Sequence, residues 1–281
     1  MGEAGRKVLI CWSGHYIGRA LKVLETIKPS TVFVLLECFS KEWYELSRAL
    51  AEHLRDRAQD ILGRGVGWAF EPEEFKPIES GDKPFYFHIG KKLKEIVDEA
   101  RKIPGSDIYI DITNASAHGG LIAERIGSWF TKEGSVIYIV DCLRGDELRD
   151  VRFYMPSMFT SELKFKPRET SLSEYRDLEL EDEGGEVVIY RPPPHTPSIM
   201  TNEFHMKLLE LMPGPNEKHI RSDRLRDRYC EKYKEDVDTT KVTDHCKEMA
   251  SEGFVEYITR GRYHFRRTRI GDLILHIVKD P

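Results

Sequence analysis

Hydrophobic positions along the first 155 residues switch repeatedly between two periods. Short apolar runs at residues 7–12, 31–38, 107–113 and 135–143, with a weaker one at 66–70, predict strands. Between them the apolar positions fall three and four apart. Ile17, Ala20, Leu21, Leu24 and Ile27 mark one helix, and residues 41–62 mark a long charged one. Leu93, Ile96, Val97 and Ala100 share a face of a third helix over 87–103, which Pro104 and Gly105 end. A fourth helix is expected at about 117–132. A last strand-like run at 151–155 follows the turn at 144–150 and predicts an antiparallel edge strand.

This alternation predicts an α/β fold over residues 1–160: a doubly wound, mostly parallel, Rossmann-like sheet with helices on both faces. Residues 161–200 change character. An acidic run at 177–186 is followed by Arg-Pro-Pro-Pro-His-Thr-Pro, and the pattern reads as a linker carrying one strand at 187–190. From residue 201 the pattern is compact again. Helices are predicted over 202–211, 222–233 and 239–251, the last with Val242, Cys246 and Met249 at core spacing and Gly253 just past its end. A hairpin turning at 260–262 and a final helix capped by Thr268 complete a small winged helix-turn-helix domain over 201–281.

Composition narrows the class. Apolar residues make up 40% and charged residues 32%, which excludes disorder as the main state. No apolar run approaches the ~20 residues of a membrane span, and no signal peptide opens the chain. The expectation is a cytoplasmic protein with no membrane partner. The five cysteines, at 11, 38, 142, 230 and 246, form no CxxC pair, so no disulfide framework is expected. His245, Cys246 and Cys230 fit no standard metal spacing, and neither a metal nor a cofactor is expected. Asn114, Asn202, Asn216 and Gln59 are the whole set of side-chain amides, a composition typical of thermophile proteins. The net charge of −5 argues against general polyanion binding but allows a local basic face.

Ligands of doubly wound sheets bind at the carboxyl ends of strands, near the point where strand order reverses. This directs attention to the loops after the first and fourth strands. The first runs through Ser13, Gly14 and His15 into a helix, a geometry that offers backbone N–H groups to an anion. A tight turn that merely needs Gly14 is the plain alternative. Neither the GxGxxG fingerprint nor the Walker lysine is present, so ordinary NAD and P-loop ATP binding are not expected. The second loop runs Asp111-Ile112-Thr113-Asn114-Ala115-Ser116-Ala117-His118-Gly119-Gly120. Its small residues let a phosphate or ribose approach the backbone, while Asp111 reads as an inward anchor. The expected pocket comprises Ser13, Gly14, His15, Thr113, Asn114, Ala115, Ser116, Ala117, His118 and Gly119, with the amides of 116–119 on phosphate. His118 either faces ligand or caps and packs.

In the last domain Arg260, Arg262, Arg266, Arg267 and Arg269 cluster on and after the hairpin. Like charge at this density favours a polyanion, so the wing is expected to contact double-stranded DNA phosphates. Thr240, Lys241, Thr243 and Lys247 lie off the core face of the preceding helix. The expected DNA set is these four with Arg260, Arg262, Arg266 and Arg267. A protein-docking or dimerisation module is the alternative reading.

With CWSGH after the first strand, YIDITNASAHGG after the fourth, and a C-terminal winged helix, the chain resembles the CRISPR-associated Rossmann fold (CARF) regulators. Asn114-Ala115-Ser116 stands where glycines are commoner in that family, and His118 stands near its basic residue. The resemblance implies a homodimer that binds a cyclic oligoadenylate, such as cyclic tetra-adenylate, across its axis, in a ligand-responsive transcription regulator of a defence system. Ile122, Ile126 and Trp129 are expected to contribute to the dimer interface. Two other functions remain open. One is a metal-independent ring nuclease using Ser13, Ser116 or His118 as catalytic groups. The other is a non-catalytic interaction module.

Overall fold

The computed structural model describes residues 6–14, 16–36, 41–63, 65–72, 85–131, 135–143, 185–259 and 261–279. The chain separates into two compact units, Met1–Pro193 and Pro194–Pro281.

The first unit contains β1 (Lys7–Trp12), α1 (Ile17–Ile27), β2 (Thr31–Leu36), α2 (Lys41–Leu62), β3 (Gly67–Pro72), α3 (Phe85–Arg101), β4 (Asp107–Asp111), α4 (Ala117–Phe130), β5 (Ile137–Leu143) and β6 (Glu186–Tyr190). The sheet order is β3-β2-β1-β4-β5-β6. The first five strands are parallel and β6 is antiparallel to β5. The protein is thus mixed α/β with a mostly parallel sheet. Strands β1 and β2 are buried along almost their whole length, as expected of central strands covered on both faces. Leu9, Cys11, Val32, Val34 and Leu36 form one core with α1 and α2. The alternate residues, Val8, Ile10, Ile108 and Ile110, are equally buried and point to the opposite face. The chain steps outward from β1 to β3, returns to β4 beside β1, and steps outward again. Strand order therefore reverses between β1 and β4.

The strand expected at 151–155 lies outside the described residues. Among those described, the antiparallel edge is β6, which falls where a strand was expected within the linker. Trp12 and Trp129 are core residues, Trp68 is half-buried, and the side chain of Trp43 lies outside the described residues.

The second unit contains α5 (Ser198–Thr201), α6 (Glu203–Leu211), β7 (Ile220–Arg221), α7 (Ser222–Tyr233), α8 (Thr239–Ser251), β8 (Val255–Thr259), β9 (Tyr263–Arg267) and α9 (Arg269–Lys279). Its sheet has the order β7-β9-β8 and is antiparallel throughout. Side-chain caps set the helix starts: Asn202 accepts from the amide of Phe204, Asp238 from Lys241 and Thr268 from Gly271. Leu208, Leu225, Tyr229, Val242, Cys246, Met249, Phe254, Phe265 and Ile274 make the core. At Gly271 an added Cβ would fall 2.0 Å from the Phe254 carbonyl oxygen, so only glycine allows α9 to cross there. Among the described residues no helix is long and apolar enough to cross a membrane.

Candidate functional site

Strands β1 and β4 run side by side with Cys11 opposite Asp111, so the loops after them leave the sheet together. The loops meet through Asn114. Its Oδ1 accepts the Tyr16 backbone N–H at 3.0 Å, and the same oxygen lies 2.6 Å from where a Cβ on Gly14 would stand. The first loop needs glycine because the second passes directly over it.

Below the loops the polar groups are already engaged. The Ser13 amide donates to the Leu35 carbonyl, and its buried hydroxyl bonds that of Ser47 on α2. Thr113 donates to Asp111 Oδ1 from its amide at 2.9 Å and from its hydroxyl at 2.5 Å. The same hydroxyl accepts the Cys142 amide at 3.0 Å, tying the end of β4 to β5. Asp111 is the inward anchor its position suggests. Burial drives its carboxyl up to about 7, against the lowering effect of the two Thr113 hydrogen bonds, and Asp141 adds to the rise. The Cys11 thiol is raised by burial first and by Asp111 second.

Ser116 caps α4, its hydroxyl accepting the Gly119 amide at 3.1 Å. The Gly119 amide, expected on phosphate, is therefore held within the chain. An added Cβ on Gly119 would stand 3.3 Å from Ala115 Cβ and 3.5 Å from Trp12 Cε2, so its smallness serves packing. The amides at 117 and 118 begin the first turn of α4, where the helix's own ladder has no acceptor for them. His15 and the side chains of Ala117 and His118 lie outside the described residues. Two participants carried no sequence signal, Ser47 and Arg19. Arg19 is 94% buried on α1, and its guanidinium sits 4.5 Å from the centre of the Tyr16 ring, under the first loop. It lies off the apolar face marked by Ile17, Ala20, Leu21, Leu24 and Ile27.

The interface expected on Ile122, Ile126 and Trp129 is corrected by the structure. These side chains are buried within the chain itself and are not available to a second copy. Their spacing reported the face of α4 that packs inward.

In the second unit Thr240 and Lys241 are exposed near the start of α8, and Lys241 Nζ lies 5.0 Å from the centre of the Phe204 ring. Lys247 Nζ sits over the Tyr263 ring at 4.2 Å and 4.0 Å from Asp244. Thr243, expected off the core face, is instead buried, and its hydroxyl donates to the Thr239 carbonyl, which takes it out of the exposed set. The hairpin arginines meet acids within the unit. Arg262 bonds Asp223 at 2.7 Å, and Arg266 bonds Glu256 across the hairpin. Arg267 donates to the Leu209 carbonyl at 3.2 Å. Its Nε lies 2.8 Å from Asp272 but off the N–H line, so that contact is an ion pair and not a hydrogen bond. Arg260 lies outside the described residues. The hairpin's like charge is thus partly neutralised within the unit.

No protein-family model matches the sequence, and no curated protein matches it. Among solved structures the chain is similar to "Enterococcus italicus Csm6 bound to cyclic hexa-2'-fluoro-hexa-dAMP", at 12% identity and a TM-score of 0.39. The likeness covers 88% of this chain and 55% of that one, so the chain spans about half the length of that protein.

Proposed function

We propose that the protein is a ligand-responsive DNA-binding regulator. One observation carries the first half of this reading. The loops after β1 and β4 emerge together where strand order reverses, and Asn114 joins them at Gly14 and Tyr16. A crevice at that point of an open α/β sheet is where such folds take ligands, and the start of α4 favours an anion. The ligand class, a cyclic oligoadenylate, rests on the resemblance to CARF regulators. Gly14, His15, Asn114, Ala117 and His118 are the residues we assign to it, with Thr113 and Ser116 holding the loop.

The second half rests on the order of elements after residue 194. The short α5 and three longer helices, α6, α7 and α8, lead into a β-hairpin that β7 extends to three strands, which we read as a winged helix-turn-helix. Ligand binding regulates DNA binding only if it favours one arrangement of a dimer over another. The Ser13 and Ser116 hydroxyls are both engaged within the chain, which favours binding over cleavage.

The deciding experiment measures melting of the purified protein with cyclic tri-, tetra- and hexa-adenylate, using AMP as control. A ligand at 100 times its dissociation constant adds about 2.7 kcal/mol of stability. One ring size should raise the melting temperature, and His118→Ala should remove most of the rise. No rise with any ring would refute the sensing reading. Intact ligand after prolonged incubation would exclude cleavage, and retention of genomic DNA fragments would test the second unit.

A further inference from the structure

The second unit brings together three side chains that no spacing rule connects. His205 is fully buried on α6, and its Nε2 lies 2.7 Å from Nδ1 of His245 on α8, 40 residues away. Glu248, three residues beyond His245 and so on the same helical face, directs Oε2 to within 3.3 Å of His205 Nε2 and 3.5 Å of His245 Nδ1. Two imidazole nitrogens and one carboxylate oxygen converge, all within 4.8 Å of one another.

From this geometry we infer that His205, His245 and Glu248 form a binding site for a zinc-class divalent metal ion, with water as fourth ligand. Bonds of about 2.0–2.1 Å to a tetrahedral ion set ligand atoms roughly 3.3 Å apart. Two of the three separations already match that figure. The third, between the imidazoles, is a hydrogen bond that opens when an ion replaces the shared proton. His245 can turn to allow this, because its side chain is 27% exposed and borders an open groove lined by Asp238, Thr240, Lys241 and Asp244. Two nitrogens and one oxygen suit zinc, whereas calcium and magnesium take oxygen ligands.

The surroundings supply what a metal-binding histidine needs. His205 Nδ1 lies 2.8 Å from Ser198 Oγ. A proton on Nδ1 donated to that hydroxyl leaves a lone pair on Nε2 for an ion, the outer-shell arrangement found behind metal-bound imidazoles. Ser198 is itself held, its amide bonded to Glu252 at 3.0 Å. The Phe204 ring meets the edge of His245 at 4.8 Å and walls the site with apolar surface. Burial, against the pull of Glu248, lowers the His205 pKa. The cysteines are not part of the site. Cys246 points into the core, where burial drives its thiol far above the usual range. Because α6 and α8 each contribute ligands, an ion here would clamp the two helices together, whether or not the unit binds DNA.

The test is a zinc titration of the chelator-stripped full-length chain against a chromophoric competitor. We expect one equivalent per chain, a melting temperature raised by zinc and restored by EDTA, and four-coordinate absorption bands with cobalt(II). His245→Ala should weaken zinc binding at least 100-fold, and Glu248→Gln should weaken it without disturbing the fold, since Glu248 is exposed. Ser198→Ala, which removes only the outer partner, should weaken it about 10–100-fold. Absence of the cobalt bands would overturn the inference and leave a hydrogen-bonded histidine pair. So would equal zinc affinity in the wild type and in folded His245→Ala or Glu248→Gln.

Discussion

Asn114 Oδ1 accepts the backbone N–H of Tyr16 across 98 residues of sequence. This bond makes the two candidate ligand loops one structural object, because a side chain of the second loop caps the helix that begins after the first. Asn114→Asp keeps the acceptor and should be tolerated. Asn114→Ala removes it and should cost about 1–2 kcal/mol in denaturant unfolding, as loss of a helix-capping side chain does. Equal stability of Asn114→Ala and the wild type would show that water replaces the bond without loss.

Gly14 should be coupled to the same residue. An added Cβ would meet Asn114 Oδ1 at 2.6 Å and Asn114 Cβ at 2.7 Å. Gly14→Ala should therefore destabilise by about 1–3 kcal/mol, as overpacking does. Asn114→Gly should relieve more of that loss than Asn114→Ala, because alanine removes Oδ1 but keeps the Cβ. A double-mutant cycle reads the difference directly, and a zero coupling energy would refute the close approach.

Asp111 makes stability depend on pH in the sense opposite to an ion-paired carboxylate. Its pKa is about 7 in the folded chain against an ordinary 3.8. The native state therefore binds more protons than the unfolded state between those values, and stability falls as pH rises through that window. A shift of this size corresponds to about 4 kcal/mol, fully present below pH 3.8 and lost above pH 7. Asp111→Asn keeps an oxygen for both Thr113 hydrogen bonds. It should flatten the slope between pH 4 and 7 and be more stable than the wild type at pH 8. A wild-type slope that survives the substitution would place the titration elsewhere.

Local periodicity carried most of the fold because each element declares itself within a few residues. The apolar runs of β1 and β2, the Pro104-Gly105 stop and the Thr268 cap are such signals. The sheet edge was less legible. Residues 151–155 and 187–190 are equally strand-like, and neither says which one pairs with β5. The functional groups divide in the same way. Gly14 and Asn114 stand in loops placed by strand order, so they could be singled out. Ser47 and His205 are defined by what packs across from them, 34 and 40 residues away. On α4 the apolar stripe was plain, but a stripe does not say whether it packs within the chain or against a second copy. The Arg262 charge looked uncompensated for a similar reason, since Asp223 is near it only in the fold, whereas Glu256 stands opposite Arg266 in the hairpin register.

Those acids change what the hairpin should contribute to DNA binding. An arginine that must leave an internal carboxylate gains less from a phosphate than a free one does. Arg262 is the most exposed of the described hairpin arginines, with 63% of its side chain accessible, yet it bonds Asp223. Asp223 is also bonded by Arg221, and this pairing first, with Arg262 contributing, holds its carboxyl below the ordinary aspartate range. It therefore stays charged and keeps competing with phosphate at neutral pH. If the hairpin touches DNA, Arg262→Ala should weaken binding to all sequences alike. It should also lower the slope of log affinity against log salt by about 1. Asp223→Asn should act the other way, releasing Arg262, tightening binding and steepening the slope. Arg267→Ala should instead act chiefly on stability, because that side chain ties β9 to α6 through the Leu209 carbonyl and pairs with Asp272. Binding isotherms at several salt concentrations separate these outcomes. Unchanged affinity and slope in both Arg262→Ala and Asp223→Asn would remove the hairpin from the DNA interface and leave a protein-docking role for the second unit.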